Sequence, residues 1–401
     1  MKARLLSLLV VSPALLGTAN VALGEDDAFM TALKGGTPKL NMRLRYEGVD
    51  DSVNEDADAL TLRTRLGYQT GKLGGFDAYG EFEDTHVVLG VDDYDPESPG
   101  FATVADPRVS EVNQAFIRYT GAEALDGFVA AFGRQRIIYD NARFVGNVGW
   151  RQDEQTYDGT KLDFANDTFT ASAAYLTKVN GITPGFDAFV EDLLINASWK
   201  KAPGGSLTGY SYMLETKDAD DARDTYGVRY SGAFPVDKMK LLLNVEYAEQ
   251  SFEGPTQDFD TEYSLLEAGV EVSGITVKVA QEVLGTDDGA QAFQTPLATK
   301  HAFNGWADKF LATPERGLED TYVSVGGSVA GIKLAAAYHE YGADDSEADG
   351  DFGSEVNAVA VKKFGPYTFG LKYADYSAED NYAAAAAADT SKVWAWTELS
   401  F

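Results

Sequence analysis

KVWAWTELSF, the stretch Lys392–Phe401, decides the fold of this chain. In an extended strand every second side chain points to the same face, here Val393, Ala395, Thr397, Leu399 and Phe401. The opposite face carries Trp394, Trp396 and Glu398. About ten alternating residues match one tilted crossing of a bilayer, with lipid on one face and water on the other. The stretch therefore predicts a membrane-spanning β-strand.

Residues 1–24 have the three parts of a secretory signal peptide. Lys2 and Arg4 give a positive start, Leu5–Leu16 is mostly apolar, and Ala22–Gly24 is a small-residue cleavage site. An amphipathic helix of the mature protein is the alternative interpretation. No later stretch has the roughly 18 apolar residues that a transmembrane helix needs. We therefore expect a signal peptide (1–24), then one domain (25–401) that spans the membrane with strands.

Composition excludes several classes of function. The formal net charge of −30 disfavours nucleic acid as a partner, because phosphate backbones are bound by surplus lysine and arginine. The chain has no cysteine, which removes disulfide bonds and thiolate chemistry. The 40 glycines, 21 tyrosines and 22 phenylalanines are typical of an all-β protein with many turns.

The alternation recurs upstream and predicts about eighteen strands. These cover residues 39–48, 59–70, 75–88, 110–119, 126–137, 155–163, 167–178, 189–200, 205–215, 222–233, 236–250, 261–272, 274–285, 319–328, 331–341, 353–363, 366–376 and 391–401. Every second connection is short, such as Gly71–Gly74 and Phe234–Pro235, whereas the others are longer, such as Val49–Asp58 and Gly90–Val109. This sorting predicts an all-β, transmembrane antiparallel β-barrel with short periplasmic turns and long extracellular loops.

Parity along each strand separates lipid-facing from lumen-facing residues. Aromatic residues near the ends of lipid-facing runs would form girdles at the two interfaces: Tyr46, Tyr68, Tyr119, Tyr175, Trp199, Tyr230, Tyr247, Tyr338 and Tyr373. A barrel of this size should enclose an aqueous channel rather than a packed core. The candidate pore-lining residues are arginines, namely Arg43, Arg45, Arg63, Arg65, Arg118, Arg134, Arg136 and Arg229. Arg134 and Arg136 share the parity of Phe128 and Phe132, so they point inward only if a β-bulge intervenes.

Two interpretations of these arginines remain open. An arginine-lined constriction suits carboxylate or phosphate solutes, because the planar guanidinium pairs with them bidentately and stays charged. Alternatively, lumen-facing Asp77, Glu81 and Glu83 lie beside Arg63 and Arg65, and such cross-strand pairs stabilise a wall without selecting a solute.

The connection Gly285–Leu318 is the longest and departs from the strand pattern. Within it, Lys300–Leu311 carries Phe303, Trp306 and Phe310 at helical spacing, which predicts a short amphipathic helix. Such a helix would narrow the lumen, cover the mouth as a lid, or rest on the barrel rim without a gating role.

Several blocks resemble the alginate export family of outer-membrane barrels. The most specific are Arg143–Gln152 (RFVGNVGWRQ) and the pair Phe293–Leu297 and His301–Phe310. Shorter blocks are Arg63–Tyr68, Glu111–Ala115 and Gly133–Arg136. The resemblance implies an eighteen-stranded barrel and a channel that conducts anions, since members of the family pass a polyanionic uronate polymer through an arginine-rich lumen.

The sequence therefore favours a passive outer-membrane channel (porin) for hydrophilic, anionic solutes, including uronate oligomers or polymer. A general diffusion porin and a surface-binding barrel are the alternatives. A hydrolase is a third class, but His86, His301 and His339 show no obvious triad. We expect no catalytic residues, no metal and no cofactor. The expected location is the bacterial outer membrane, reached by Sec export. The expected partners are membrane lipid, lipopolysaccharide and the barrel-assembly machinery.

Overall fold

Eighteen antiparallel strands form one closed barrel. The structure, a computed structural model, describes residues 26–121, 126–219, 221–345, 350–379 and 388–401. The predicted signal peptide, residues 1–24, lies outside the described residues. The predicted fold class and strand number are confirmed.

The barrel strands follow one another around the wall. They are β1 (Thr37–Asp51), β2 (Ala57–Gln69), β3 (Phe76–Asp93), β4 (Val109–Thr120), β5 (Phe128–Gln135), β6 (Thr156–Ala165), β7 (Phe169–Asn180), β8 (Ala188–Ala202), β9 (Gly205–Glu215), β10 (Ala222–Val236), β11 (Met239–Glu253), β12 (Asp258–Val272), β13 (Ile275–Leu284), β16 (Leu318–Val329), β17 (Ile332–Gly342), β18 (Asp351–Phe364), β19 (Tyr367–Ala378) and β20 (Thr390–Ser400). Between β13 and β16, β14 (Thr286–Asp287) and β15 (Gln291–Ala292) form a separate small hairpin.

The quoted stretch closes the barrel, because β20 pairs with both β19 and β1. In the seam with β1, Arg43 lies opposite Glu398 and Arg45 opposite Trp396. Trp394 is fully buried on the lumen side, whereas Val393 is exposed on the lipid side. The alternation of the sequence therefore places each face of the last strand as predicted.

Several tyrosines of the predicted aromatic girdles donate hydrogen bonds to carboxylates that lie beside them on the lipid-facing wall. Tyr247 Oη donates to Glu249 at 3.3 Å, and Tyr338 Oη donates to Glu340 at the same distance. Tyr46 Oη donates to Asp58. Phenol rings at the lipid boundary with a polar group beyond them are typical of the interfacial zone, so these pairs mark its extracellular level.

Two long connections fold into the lumen. The first inner loop (residues 136–155) joins β5 to β6, and the second inner loop (residues 285–317) joins β13 to β16. They bond each other, since Gly146 N donates to Leu297 O at 2.9 Å and Thr299 N donates to Ala142 O at 3.0 Å. The expectation of an aqueous channel without a packed core is wrong where these loops lie, because they bring apolar side chains such as Phe293 and Phe310 into a buried cluster.

Helical structure is sparse in the described chain. The α-helix α1 (Asp26–Lys34) precedes β1, and 3-10 turns occur at Pro184–Phe186 and Lys300–Ala302. None of the helices in the described part of the chain has the length and apolar character that a bilayer crossing demands. The helix predicted over Lys300–Leu311 is wrong beyond that first turn. Asn304, Gly305 and Asp308 have positive φ angles, which an α-helix cannot contain.

Candidate functional site: the arginine wall and the inner loops

Four arginines from two adjacent strands form a continuous basic surface on the lumen side. This arginine wall consists of Arg43 and Arg45 on β1 and Arg63 and Arg65 on β2, and all four side chains are buried. Arg43 and Arg63 are direct partners in the strand register. Directly opposed like charges destabilise a sheet, so the pairing is costly unless other groups offset it.

The Arg43 guanidinium is bound by the first inner loop through uncharged acceptors. Its Nε donates to Gln152 Oε1 at 2.9 Å and its Nη2 to Trp150 O at 2.8 Å. Gln152 in turn donates to Thr61 Oγ1 at 2.9 Å. The loop is therefore attached to β1 and β2 without neutralising the positive charge of Arg43.

Arg63 is the least satisfied member of the arginine wall. Its Nη2 donates to Asn41 Oδ1, but its Nε and Nη1 have no hydrogen-bond partner among the described residues. Only 3% of its surface is exposed. A buried guanidinium with open N–H donors is costly, because these donors have lost their hydrogen bonds to water without gaining others.

The outer members of the arginine wall carry carboxylate partners. Arg45 pairs with Asp106, which belongs to the β3–β4 connection, and its guanidinium lies 5.0 Å from the ring of Trp150. Arg65 pairs with Glu83 and has Glu154 at 3.6 Å. The unneutralised charge is thus concentrated on Arg43 and Arg63, between the two pairs.

Two further predicted pore-lining arginines are bound to carboxylates of the wall. Arg118 lies 3.0 Å from Asp77, and Arg229 lies 2.9 Å from Glu246. Both pairs join neighbouring strands, as the wall-pairing interpretation predicts.

Arg134 and Arg136 separate at the end of β5. Arg136 follows the strand and turns inward, where it bonds Glu81 at 2.7 Å and also pairs with Glu154. Arg134 keeps the parity of Phe132, which is 69% exposed to the lipid side, and pairs with Asp158 at 2.8 Å. The assignment of Arg134 to the pore lining is therefore wrong. A β-bulge lies in β4, between the partners of Glu81 and Phe82, but β5 pairs with β4 without a register shift. The outward parity of Arg134 is therefore unchanged.

The first inner loop is held by ion pairs that cross the lumen. Arg151 lies 3.0 Å from Glu47 on β1 and 2.7 Å from Asp308 in the second inner loop. Burial opposes its charge, yet the carboxylates of Glu47 and Asp308 raise the pKa of Arg151 above its usual value. Arg143 lies 2.8 Å from Glu282 on β13. The loop therefore spans the lumen between β1 and β13.

The three aromatic residues predicted to form a constriction lie inside the lumen rather than on the rim. The Phe303 ring lies 4.8 Å from the guanidinium of Arg143. The backbone N–H groups of Trp306 and Ala307 donate to Glu355 on β18. The ring of Phe310 packs against Tyr341 with centroids 4.6 Å apart. All three residues thus lie on an irregular loop within the lumen, and the narrowing stays a prediction.

A buried lysine lies in an aromatic cage where the second inner loop meets the wall. The Lys372 ammonium is 3.9 Å from the Trp306 ring and 4.2 Å from the Trp150 ring. It is also 2.6 Å from Nε2 of His301, whose Nδ1 is 2.6 Å from Asp308. Burial lowers the pKa of His301 well below its usual value, so the imidazole is neutral. Its Nε2 atom can therefore accept a hydrogen bond from Lys372.

A cavity of about 470 Å³ lies beside the second inner loop on the extracellular side. Its walls are largely apolar and include Val190, Leu214 and Phe252. Two cations border it without a carboxylate ion pair among the described residues. Arg223 donates to Gln250 at 2.7 Å, and no hydrogen bond or ion pair of the Lys300 ammonium is found within the described chain. The carboxylates of Asp192, Glu215, Asp221 and Asp308 also line the cavity. Burial, with the nearby charge of Arg143, lowers the pKa of Lys300 below its usual value.

Sequence reasoning identified the strands that carry the site but missed several members of it. Lys300, Arg223 and the cage around Lys372 were not predicted as functional residues. The useful signal was the Arg143–Gln152 block, where Phe144, Val145 and Trp150 are too apolar for an exposed loop. The site assembles across long sequence separations, such as the 109 residues between Arg43 and Gln152, which parity along a strand cannot predict.

Each histidine is paired with an aspartate: His86 with Asp84, His301 with Asp308 and His339 with Asp320. Within the described ranges, no group of three or more His, Cys, Asp or Glu side chains could hold a metal ion.

Comparison with known proteins gives a family and a set of similar barrels. The sequence profile described as alginate export matches residues 41–273. Pseudomonas aeruginosa OpdL is 17% identical, with 92% of this chain and 99% of that chain covered and a TM-score of 0.68. Acinetobacter baumannii OccAB4 is 16% identical, with 91% and 98% covered and a TM-score of 0.66. Pseudomonas aeruginosa OpdK, solved with vanillate, is 12% identical, with 91% and 98% covered and a TM-score of 0.66. No curated protein sequence matches the chain.

Proposed function

The chain belongs to the alginate export family and has the barrel of an outer-membrane porin, and on that premise we propose that it is a passive channel for small anionic solutes, carboxylates above all. Diffusion through a pore needs no cofactor and no reaction chemistry. We further propose that residues 1–24 direct Sec export to the bacterial outer membrane.

The observation that carries the anion preference is the pair Arg43–Arg63. These two buried guanidinium groups are opposed in register, and neither has a carboxylate ion pair among the described residues. Arg63 retains two N–H donors without acceptors in the described chain. Positive charges that no ion pair neutralises raise the electrostatic potential of the adjacent lumen. The pair would therefore favour an anion at this level of the lumen.

The inner loops favour a small solute over a polymer. They bond each other and span the lumen from Arg151–Glu47 on one side to Arg143–Glu282 on the other. A uronate polymer would need these contacts to break, whereas a uronate monomer or short oligomer would pass beside them. We therefore propose small carboxylates, rather than long alginate chains, as the solute.

The extracellular cavity supports a more specific solute class. Its apolar wall, with Val190, Leu214 and Phe252, would contact an aromatic or aliphatic body, and Lys300 would attract a carboxylate. OpdK, one of the similar barrels, was solved with vanillate, an aromatic carboxylate. We propose that aromatic monocarboxylates bind in the cavity before they pass the arginine wall.

Planar-bilayer recording of the purified barrel in a salt gradient tests the proposal. The reversal potential should show anion preference, and Arg63→Gln should reduce it. The matched control is Arg108→Gln, since Arg108 lies in an extracellular connection, is half-exposed and pairs with Asp92 at 2.7 Å. Cation preference of the unaltered barrel would overturn the proposal. Anion preference that survives Arg63→Gln would assign the selectivity to other residues.

A general diffusion porin is the competing function, and the mixed charge of the lumen supports it. Arg118–Asp77 and Arg229–Glu246 are neutral pairs, and the inner surface also carries Glu267 beside Lys278. The same recording separates the two functions, because a general porin would give a reversal potential near zero.

A further inference from the structure

A row of charged side chains lies on the lipid-facing wall where β5, β6 and β7 run side by side. Arg134 is the register partner of Asp158, and Asp158 is the register partner of Lys178. Neighbouring strands are about 4.8 Å apart, so the two cations flank one carboxylate. Charged groups on the lipid face of a barrel are tolerated near the interface and costly at the midplane. The row therefore marks the headgroup level.

The neighbouring residues of the aromatic girdle also support placing the charged row at the headgroup level. Tyr175 is an exposed girdle residue on β7 and lies on the same outward face, three residues before Lys178. The ammonium of Lys178 lies 5.9 Å from the ring of Phe189, which is 65% exposed on β8. Aromatic rings at the interface with cations beyond them are typical of the boundary between acyl chains and headgroups.

An outward-facing groove of about 440 Å³ lies directly beside the row. We name it the outer groove, and its lining includes Val112, Ala115, Phe132, Arg134, Asp158 and Tyr175. Its floor is backbone at Gly133 and Gly159, where a Cβ atom would overlap the carbonyl oxygens of Ala115 and Tyr175. Strand register shifts at Asp158/Gly159 and at Leu176/Lys178 accompany it. The depression is thus fixed by the backbone of the wall.

The cations of the row retain donor capacity. Arg134 makes three hydrogen bonds, two to Asp158 and one to Val112 O at 2.9 Å, out of the five N–H groups of a guanidinium. Lys178 donates to Asp187 at 2.6 Å, which uses one of three N–H groups. The remaining donors are available to an acceptor that approaches from the membrane.

Elsewhere on the described extracellular rim of the wall, outward charges are mostly carboxylates. Asp58, Glu249 and Glu340 lie beside girdle tyrosines. Asp84 and Asp375 are further examples. Carboxylates repel lipid phosphates, whereas at this row the charges of Arg134 and Lys178 offset those of Asp158 and Asp187. A phosphate would be favoured at this row over the rest of the rim.

We propose that the outer groove binds a phosphorylated, acyl-bearing glycolipid of the outer leaflet. Its phosphate accepts hydrogen bonds from Arg134 and Lys178, and one acyl chain lies against Phe132 and Tyr175 over the glycine floor. The site is on the outside of the barrel and is independent of the proposed channel function.

Binding of fluorescent diphosphoryl lipid A to the detergent-purified barrel tests the proposal. Arg134→Gln should weaken binding about tenfold, as expected for the loss of a charge-assisted contact of about 1.4 kcal/mol. Arg108→Gln, which removes an exposed arginine elsewhere on the extracellular side, should leave the affinity unchanged. Equal effects of the two variants would overturn the proposal, because binding would then follow overall charge.

A second variant tests the groove without altering charge. Ala115→Leu adds an apolar side chain to a lipid-facing position and fills the groove, so it should also weaken binding. Heat-modifiable gel mobility verifies that each variant is folded. Unchanged affinity in Ala115→Leu would overturn the acyl contact. Equal affinity for vesicles of phosphatidylglycerol would overturn the preference for a phosphorylated glycolipid. The reversal potential reports the channel separately, so failure of one proposal is distinguishable from failure of the other.

Discussion

Arg43 and Arg63 are opposed partners on adjacent strands, and both are buried. Arg43 is bound by loop acceptors, whereas Arg63 keeps two N–H groups without partners in the described chain. The same charge therefore has two different roles at one level of the lumen.

Substitution of each arginine should separate these roles. Arg63→Gln should leave the thermal stability unchanged or raise it, because a like-charge contact is removed. Arg43→Gln should lower the free energy of unfolding by about 1–3 kcal/mol, since buried carbonyl groups of the loop lose their donor. Thermal unfolding in detergent, followed by circular dichroism, measures both. Greater destabilisation by Arg63→Gln would contradict the assignment.

The paired arginines should not contribute to selectivity. Removal of the whole pair in Arg229→Gln/Glu246→Gln leaves the lumen charge unchanged, so the reversal potential should stay that of the unaltered barrel. Arg229→Gln alone leaves Glu246 unpaired and should shift the potential toward cations. If the double variant shifts it as far as the single variant does, the wall-pairing interpretation is wrong.

Docking of the second inner loop should depend on pH through His301. Its pKa is well below the usual value in the docked loop, while an undocked histidine titrates near 6.5. Below about pH 6.5 only the undocked loop takes up the proton, so docking weakens by up to about 1.4 kcal/mol per pH unit. Burial raises the pKa of Asp308, but His301, Lys392 and Arg151 together hold it well below its usual value. The Asp308 carboxyl group therefore does not titrate in this pH window.

Limited proteolysis of the second inner loop at pH 7.5 and pH 5 measures this dependence. Cleavage should increase at the lower pH in the unaltered barrel and in His86→Gln, because His86 is half-exposed on the outer wall. The increase should be smaller in His301→Gln. An equal increase in both variants would show that another group controls the docking.

Gly305 tests whether the second inner loop narrows the lumen. Its φ angle is +84°, and a Cβ atom there would collide with Glu355 and Tyr341. Gly305→Ala should therefore displace the loop and raise the single-channel conductance. Gly331→Ala is the matched control, since Gly331 has a φ angle of +73° with nothing near its Cβ position. Equal conductance changes in both would mean that backbone strain alone is responsible.

The cavity should bind aromatic carboxylates through Lys300. Lys300→Gln should weaken the block of ion current by vanillate several-fold and leave the response to the neutral vanillyl alcohol unchanged. Lys217→Gln, at an exposed lysine beyond β9, is the control. If Lys300→Gln alters both solutes equally, the apolar wall rather than the charge determines binding.

Alternation along the chain was enough to predict the barrel, its strand number and the lumen-facing positions of Arg43, Arg45, Arg63 and Arg65. It failed for Arg134, because strand parity continues to the end of β5 and only Arg136, beyond the strand, turns inward. It also failed for the predicted helix, although Asn304-Gly305 was a visible signal for positive φ angles. Pairing inside the lumen was beyond prediction because the inner loops supply the partners.

The contacts of Trp150 bridge the two ends of the barrel sequence. Its ring lies 5.8 Å from Trp394 and 5.3 Å from Trp396 on β20, and 5.0 Å from the guanidinium of Arg45 on β1. These surroundings exist only where the first and last strands meet at the seam. The first inner loop therefore fastens, from inside the lumen, the junction at which the barrel closes.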